Sequence, residues 1–307
     1  MNATYLNFFG LHDDPFRLTP DPAYYYPSHD HANALLSLDY TLNNREGFCL
    51  LTGEPGTGKT TLLRIFINKW QDQAEIALIM TPRLSPEEFL QAILDDLGVI
   101  FPLSGNKNDM IKEFRDFLLG HAENGRRVVI IVDEAQQLPD ATLEELRLLS
   151  NLETTKEKLV QIILVGQPEL ADKMEQDQFR QLNQRISVRA SLSPLAERAT
   201  ADYLTTRLMK AGALTATFFD KAALDTIFRL SCGIPRLINL IASRALMAAY
   251  LEGKPGVQER QVIIAAAEVM KKERKKMGSP RRNQLLWWAI SGLVVIIALL
   301  SVFKIRF

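Results

Sequence analysis

Five short runs of apolar or β-branched residues punctuate the chain, at 48–52, 76–80, 128–132, 160–165 and 186–191. Between them apolar positions recur at the three- and four-residue spacing of amphipathic helices. Strands alternating with helices predict a parallel sheet with right-handed crossovers. The alternation stops at Ser193-Pro194, a helix-start pair. Helical patterns follow over 195–211, 220–231, 235–251 and 258–276, with breaks near Gly212, at Gly233-Ile234-Pro235 and between Gly253 and Gly256. An α/β sheet domain followed by a small helical domain is therefore expected. The last pattern is of another kind: residues 285–303 (LLWWAISGLVVIIALLSVF) contain no charged side chain. As a helix they would extend about 28 Å at ~1.5 Å per residue, close to the ~30 Å of a bilayer's hydrocarbon. A transmembrane helix is expected there, with Trp287 and Trp288 at the interface that indoles favour.

Composition narrows this picture without redrawing it. With 307 residues, 47% hydrophobic and 23% charged, the chain is globular rather than disordered or fibrous. Its formal charge of zero hides an uneven distribution. Residues 271–282 (KKERKKMGSPRR) hold seven basic residues against one acidic, a net of +6, and Lys304 and Arg306 add +2, which leaves −8 for residues 1–270. An acidic body argues against general nucleic-acid binding, which depends on neutralising phosphates. Basic residues crowded before the apolar stretch favour keeping the globular part in the cytoplasm, so a single-pass membrane protein with that orientation is expected. Cys49 and Cys232 are far apart and fit a reducing compartment. His29 and His31 lack metal-ligand spacing and are expected at the surface.

Chemistry concentrates at the ends of the strand runs. Gly53-Glu54-Pro55-Gly56-Thr57-Gly58-Lys59-Thr60 satisfies GxxxxGK[ST] in full, between the first strand and a helical run beginning at Thr61. Glycines there let backbone N–H groups curl around a phosphate, and the following helix adds the positive end of its dipole. Lys59 is expected to reach the β- and γ-phosphates of ATP, and Thr60 to ligate Mg²⁺. The third strand delivers Asp133 and Glu134 at its C-terminal end, where sheets of this type present their ligands. Asp133 suits the Mg²⁺ shell, and Glu134 suits orienting and deprotonating an attacking water. Gln167, at the end of the fourth strand, could bond the γ-phosphate or position water, or simply form a turn. Arg185 stands just before the fifth strand, where it could reach a neighbouring subunit's nucleotide; Arg180 is the rival for that role. Arg236 follows Pro235 at a helix start, a position from which a lid could sense nucleotide.

These elements together resemble an AAA+ ATPase built on the P-loop NTPase fold. The opening Tyr5-Leu-Asn-Phe-Phe-Gly-Leu, then Asp14-Pro15-Phe16 and Leu18-Thr19-Pro20-Asp21-Pro22, with Asp133-Glu-Ala-Gln136 and Gly166-Gln-Pro-Glu-Leu170, is similar to the general secretion pathway protein A family. That resemblance covers residues 4–270 and the apolar segment. It implies ATP hydrolysis with Mg²⁺, Pro15 and Phe16 near the adenine, a homo-oligomer such as a ring, and an inner-membrane secretion, export or pilus-type partner. Domains are then expected at 1–40 (linker and adenine side), 41–193 (AAA+ domain), 194–270 (helical lid), 271–284 (basic juxtamembrane segment), 285–303 (transmembrane helix) and 304–307 (tail). Family members commonly continue into a peptidoglycan-binding domain, whereas Lys304-Ile-Arg-Phe307 is all that follows here, so direct peptidoglycan binding is not expected. A DNA-binding transposition regulator and a non-hydrolysing scaffold are the alternative readings.

Overall fold

In the computed structural model, residues 2–80, 83–101, 106–155, 157–215 and 218–276 are described. The chain divides into two compact units. One runs from Pro27 to Ser193, and the other joins the described residues up to Tyr26 with those from Pro194 to Lys276. Residues 1–40, grouped as one segment in the sequence reading, are thus shared between the two units.

Elements in chain order are α1 (Asn2–Phe8), α2 (His29–Asn43), β1 (Phe48–Gly53), α3 (Lys59–Trp70), β2 (Ala74–Ile79), α4 (Pro86–Asp96), α5 (Lys107–Glu123) and β3 (Arg127–Val132). There follow α6 (Asp140–Leu149), β4 (Gln161–Gly166), α7 (Pro168–Met174), α8 (Arg180–Asn183), β5 (Ile186–Leu192), α9 (Glu197–Lys210), α10 (Lys221–Ser231), α11 (Pro235–Leu251) and α12 (Glu259–Lys276).

The first unit is built on a five-stranded sheet of order β2-β3-β4-β1-β5. All four pairings are parallel, as the strand and helix alternation predicts. The central strands β1, β3 and β4 are buried almost throughout, because helices cover both faces of such a sheet. Period-two geometry separates their side chains. Phe48 and Leu50, Val128, Ile130 and Val132, and Ile162 and Leu164 join a core with Phe89 of α4, Phe114 of α5 and Leu146 of α6. The alternate residues Leu51, Ile131 and Ile163 are equally buried on the opposite face, where α2 and α3 lie against β1. Strand β5 is an edge, and its side chains alternate between buried ends and exposed middle.

The second unit is helical, with a core that combines Tyr5, Phe9, Leu11, Phe16 and Tyr24 of the N-terminal segment with side chains of α9 to α12. The break foreseen at Gly233 is one of its turns: there φ is +74°, and a Cβ would lie 2.0 Å from the Leu195 carbonyl oxygen. Only glycine fits. Pro235 then opens α11 at its first turn. The expected membrane-spanning stretch 285–303 and most of the basic segment before it lie outside the described residues. Among the described residues no helix is long and apolar enough to cross a membrane.

Candidate nucleotide-binding site

The C-terminal ends of β1, β3 and β4 bring the candidate residues of the sheet unit together. Gly53 closes β1 in tight quarters: a Cβ there would stand 2.8 Å from the Leu192 carbonyl oxygen and 2.9 Å from the Thr57 hydroxyl. The loop then turns on itself, with Thr57 Oγ1 donating to the Glu54 carbonyl at 2.8 Å. Gly58, with φ of +108°, stands at the start of α3 and offers no capping side chain. The first N–H groups of α3 therefore remain available for an anion, which the helix dipole also favours.

Lys59 is only 6% exposed. Its Nζ donates to the Gly53 carbonyl at 2.6 Å and the Glu54 carbonyl at 3.2 Å, so the ammonium is folded back over its own loop. Burial lowers its pKa, against the raising effect of nearby carboxylates, Glu134 first. Thr60 Oγ1 donates to Asp133 Oδ2 at 3.2 Å. Asp133 is held at the sheet's end by its backbone N–H, which bonds the Ile79 carbonyl at 3.0 Å. Burial raises its pKa, partly opposed by hydrogen bonds from the Glu134 N–H and Thr60. A hydroxyl and a carboxylate converging this closely form a hard-oxygen donor pair, which suits Mg²⁺ completed by waters and phosphate oxygens.

Glu134 takes a left-handed backbone conformation, φ 54°, that redirects the chain out of β3. Its Oε2 accepts from Gln136 Nε2 at 2.7 Å and from Gln167 Nε2 at 3.3 Å. Gln136 Oε1 in turn accepts the Gln167 N–H at 3.2 Å. Two carboxamides thus hold one carboxylate. A Cβ at Gly166 would stand 2.6 Å from Gln136 Oε1, so a small residue at the end of β4 makes room for this arrangement. Gln136 carried no role in the sequence reading; lying two residues past Glu134, beyond a left-handed residue, it becomes a partner only once that turn is known.

His31 departs furthest from expectation. Expected at the surface, it is 6% exposed, with Nε2 3.1 Å from the Thr57 carbonyl oxygen of the phosphate loop and Nδ1 2.6 Å from Ser28 Oγ. His29, by contrast, is exposed. Periodicity along α2 marks position 31 as inward only when the helix's partner is known.

The remaining candidates that have partners have them within their own units. Arg185 Nη1 donates to the Arg147 carbonyl at 3.0 Å and to Ser150 Oγ at 2.6 Å, at the C-terminal end of α6, and Arg180 is exposed. Pro15, Phe16 and Arg236 belong to the helical unit. Phe16 is buried against Phe219 with ring centroids 6.2 Å apart, and the buried Arg207 guanidinium donates to the carbonyls of Pro15 and Arg17. Arg236 is exposed in the first turn of α11.

Comparison with known proteins agrees with this geometry. An AAA domain is matched over residues 42–174. General secretion pathway protein A of Aeromonas hydrophila is 44% identical over 261 residues, 85% of this chain and 48% of that protein, so the chain spans about half the length of that relative. Among solved structures, Cdc6p of Pyrobaculum aerophilum superposes with a TM-score of 0.62 at 20% identity, over 88% of this chain and 75% of that one. The RuvB branch-migration motor of Thermotoga maritima gives 0.51 at 19% identity, over 79% and 69%. At such identities these two speak for the fold alone. With a complete phosphate loop, an acidic pair closing β3 and the fourth strand inserted between them, residues 42–174 are an AAA domain, and the chain is similar over 85% of its length to general secretion pathway protein A.

Proposed function

We propose that the protein binds ATP with Mg²⁺ and hydrolyses it, and that turnover drives the assembly or operation of a cell-envelope secretion, export or pilus-type complex. The observation that carries the hydrolytic reading is the juxtaposition at the C-terminal end of the sheet of the Lys59 ammonium, the Thr60 and Asp133 oxygens, and a Glu134 carboxylate held by Gln136 and Gln167. Lys59 would exchange its loop carbonyls for phosphate oxygens, and the free N–H groups of Gly58 and α3 would take the remainder. Thr60 and Asp133 would hold Mg²⁺, which would supply positive charge to offset that of the phosphates. Glu134 orients a water and accepts its proton as oxygen attacks the γ-phosphorus; the bond to the β–γ bridging oxygen breaks, releasing ADP and phosphate. Gln167 fixes the Glu134 carboxylate and, from the same position, can bond the γ-phosphate.

In this reading the active form is a homo-oligomer in which Arg185 of one subunit faces the neighbour's nucleotide, Arg236 couples the helical unit to nucleotide state, and Pro15 and Phe16 stand on the adenine side. Residues 285–303 anchor the chain in the inner membrane with its ATPase domain in the cytoplasm. The relative's description as a secretion-pathway protein supports the cellular role, and the apolar composition of 285–303 supports the anchor. Purified Lys59→Ala is expected to lose nucleotide binding, whereas Glu134→Gln keeps binding and loses turnover, because Lys59 compensates phosphate charge in the ground state and Glu134 acts on the water in the transition state. Equal loss of binding in both variants, measured by titration with labelled ATP, defeats this division of roles.

A further inference from the structure

The first turn of α2 is fastened to the phosphate loop by a side chain outside the motif. Ser28 begins the helix, its Oγ accepting the His31 N–H at 3.4 Å and lying 2.6 Å from His31 Nδ1. A carbonyl can only accept, so the 3.1 Å contact to the Thr57 oxygen requires a hydrogen on Nε2. Burial pushes the His31 pKa down, which favours the neutral ring, with Nδ1 accepting from the Ser28 hydroxyl.

The peptide that joins Thr57 to Gly58 gives this contact its consequence. In a planar trans peptide the carbonyl and the following N–H point in opposite directions. Drawing the Thr57 oxygen toward α2 turns the Gly58 N–H away from α2, and backbone N–H groups of this loop are the ones that cradle phosphate. Gly58 permits the approach, since a Cβ there would sit 2.8 Å from His31 Nε2. The strut itself is fixed at both ends: Asp39 accepts from Trp70 Nε1 at 2.8 Å and Lys69 Nζ at 2.6 Å at the end of α3, and Asp30 accepts the Ser193 N–H at 3.1 Å. We propose that His31 is a positioning residue for nucleotide binding, its Nε2–H holding the Thr57–Gly58 peptide so that the Gly58 N–H faces the phosphate side of the loop. The proposal rests on the nucleotide-binding reading above.

The test compares His31→Phe, which keeps the ring's bulk without a donor, with His31→Gln, whose amide can replace Nε2–H. Binding of ADP with Mg²⁺ to the full chain and amide hydrogen exchange of the peptide covering 53–60 in nucleotide-free protein are both measured. His31→Phe is expected to raise the ADP Kd about five- to tenfold, the worth of one net hydrogen bond, and to speed loop exchange. His31→Gln is expected to stay within about twofold on the same reasoning. If His31→Phe does not fold, judged by its unfolding midpoint, His31→Asn, whose amide is too short to reach Thr57, takes its place. Unchanged ADP binding in the donor-less variant, or equal losses in it and His31→Gln, overturns the hydrogen-bond role. Failure of the unmodified chain to bind ADP overturns the reading beneath it instead, while loop exchange still reports whether His31 holds the loop.

Discussion

Asp133 and Lys59 are both buried where water would ordinarily solvate a charge, and burial moves their pKa values in opposite directions. The Asp133 carboxyl titrates above its usual value, so the folded state holds its proton more tightly, and stability falls as pH rises from 3.8 through the folded value. The Lys59 shift is downward, so stability falls as pH drops from 10.5 through the folded value. At neutral pH both groups therefore weigh against the nucleotide-free fold, an expected cost of a site prepared for phosphate and metal. Asp133→Asn should raise the thermal midpoint of nucleotide-free protein at pH 7, with the gain shrinking toward pH 3.8, while removing Mg²⁺-dependent turnover. A lower midpoint for the variant at pH 7 contradicts this account. Lys59, Thr60, Asp133, Glu134 and Gln167 were legible as candidates because each stands at a fixed offset from a strand end. His31 was not: its partner is a backbone carbonyl 26 positions away, which leaves no residue-type signature.

Among elements, α2 and α3 share the clearest single dependence. Asp39, on the inner side of α2, satisfies Trp70 Nε1 at the end of α3, and both residues are buried. Asp39→Ala leaves that indole N–H without its partner and should cost about 1–3 kcal/mol, read as a lower urea midpoint with unchanged slope. A change below about 0.5 kcal/mol would place the pairing among ordinary surface contacts. Strand positions were legible to within two residues, since β1, β3 and β4 are apolar on both faces and bounded by polar turns. The segment before the phosphate loop was not. Read as linker and adenine side, it contains α1 and α2, whose polar stretches make sense only against the surfaces they meet.

For the whole molecule, two proposals can be separated by experiment. If Arg185 acts between subunits, mixing Arg185→Ala with Lys59→Ala chains should restore part of the hydrolysis each lacks, because an intact Lys59 site can then receive Arg185 from its neighbour. No recovery at any ratio in verified mixed oligomers would leave Arg185 as the tie to the end of α6 that its bonds to Arg147 and Ser150 describe. If 285–303 spans the membrane, truncation after Arg282 should release the protein from membranes with nucleotide binding intact. A cysteine appended after Phe307 should react with an impermeant thiol reagent only from the far side. A full-length chain that fractionates as soluble, or labelling only from the cytoplasm, would remove the anchor from the proposal.

Sequence by itself determined the strand and helix alternation, the phosphate loop, the acidic pair and the family resemblance, because hydrophobic period and short motifs are local properties of the chain. Tertiary structure decided that β4 lies between β1 and β3, that the first 26 residues join the helical unit, and that Gln136 and His31 reach the site. Those outcomes depend on which distant surfaces bury one another, and burial energy is set by contact rather than by order along the chain.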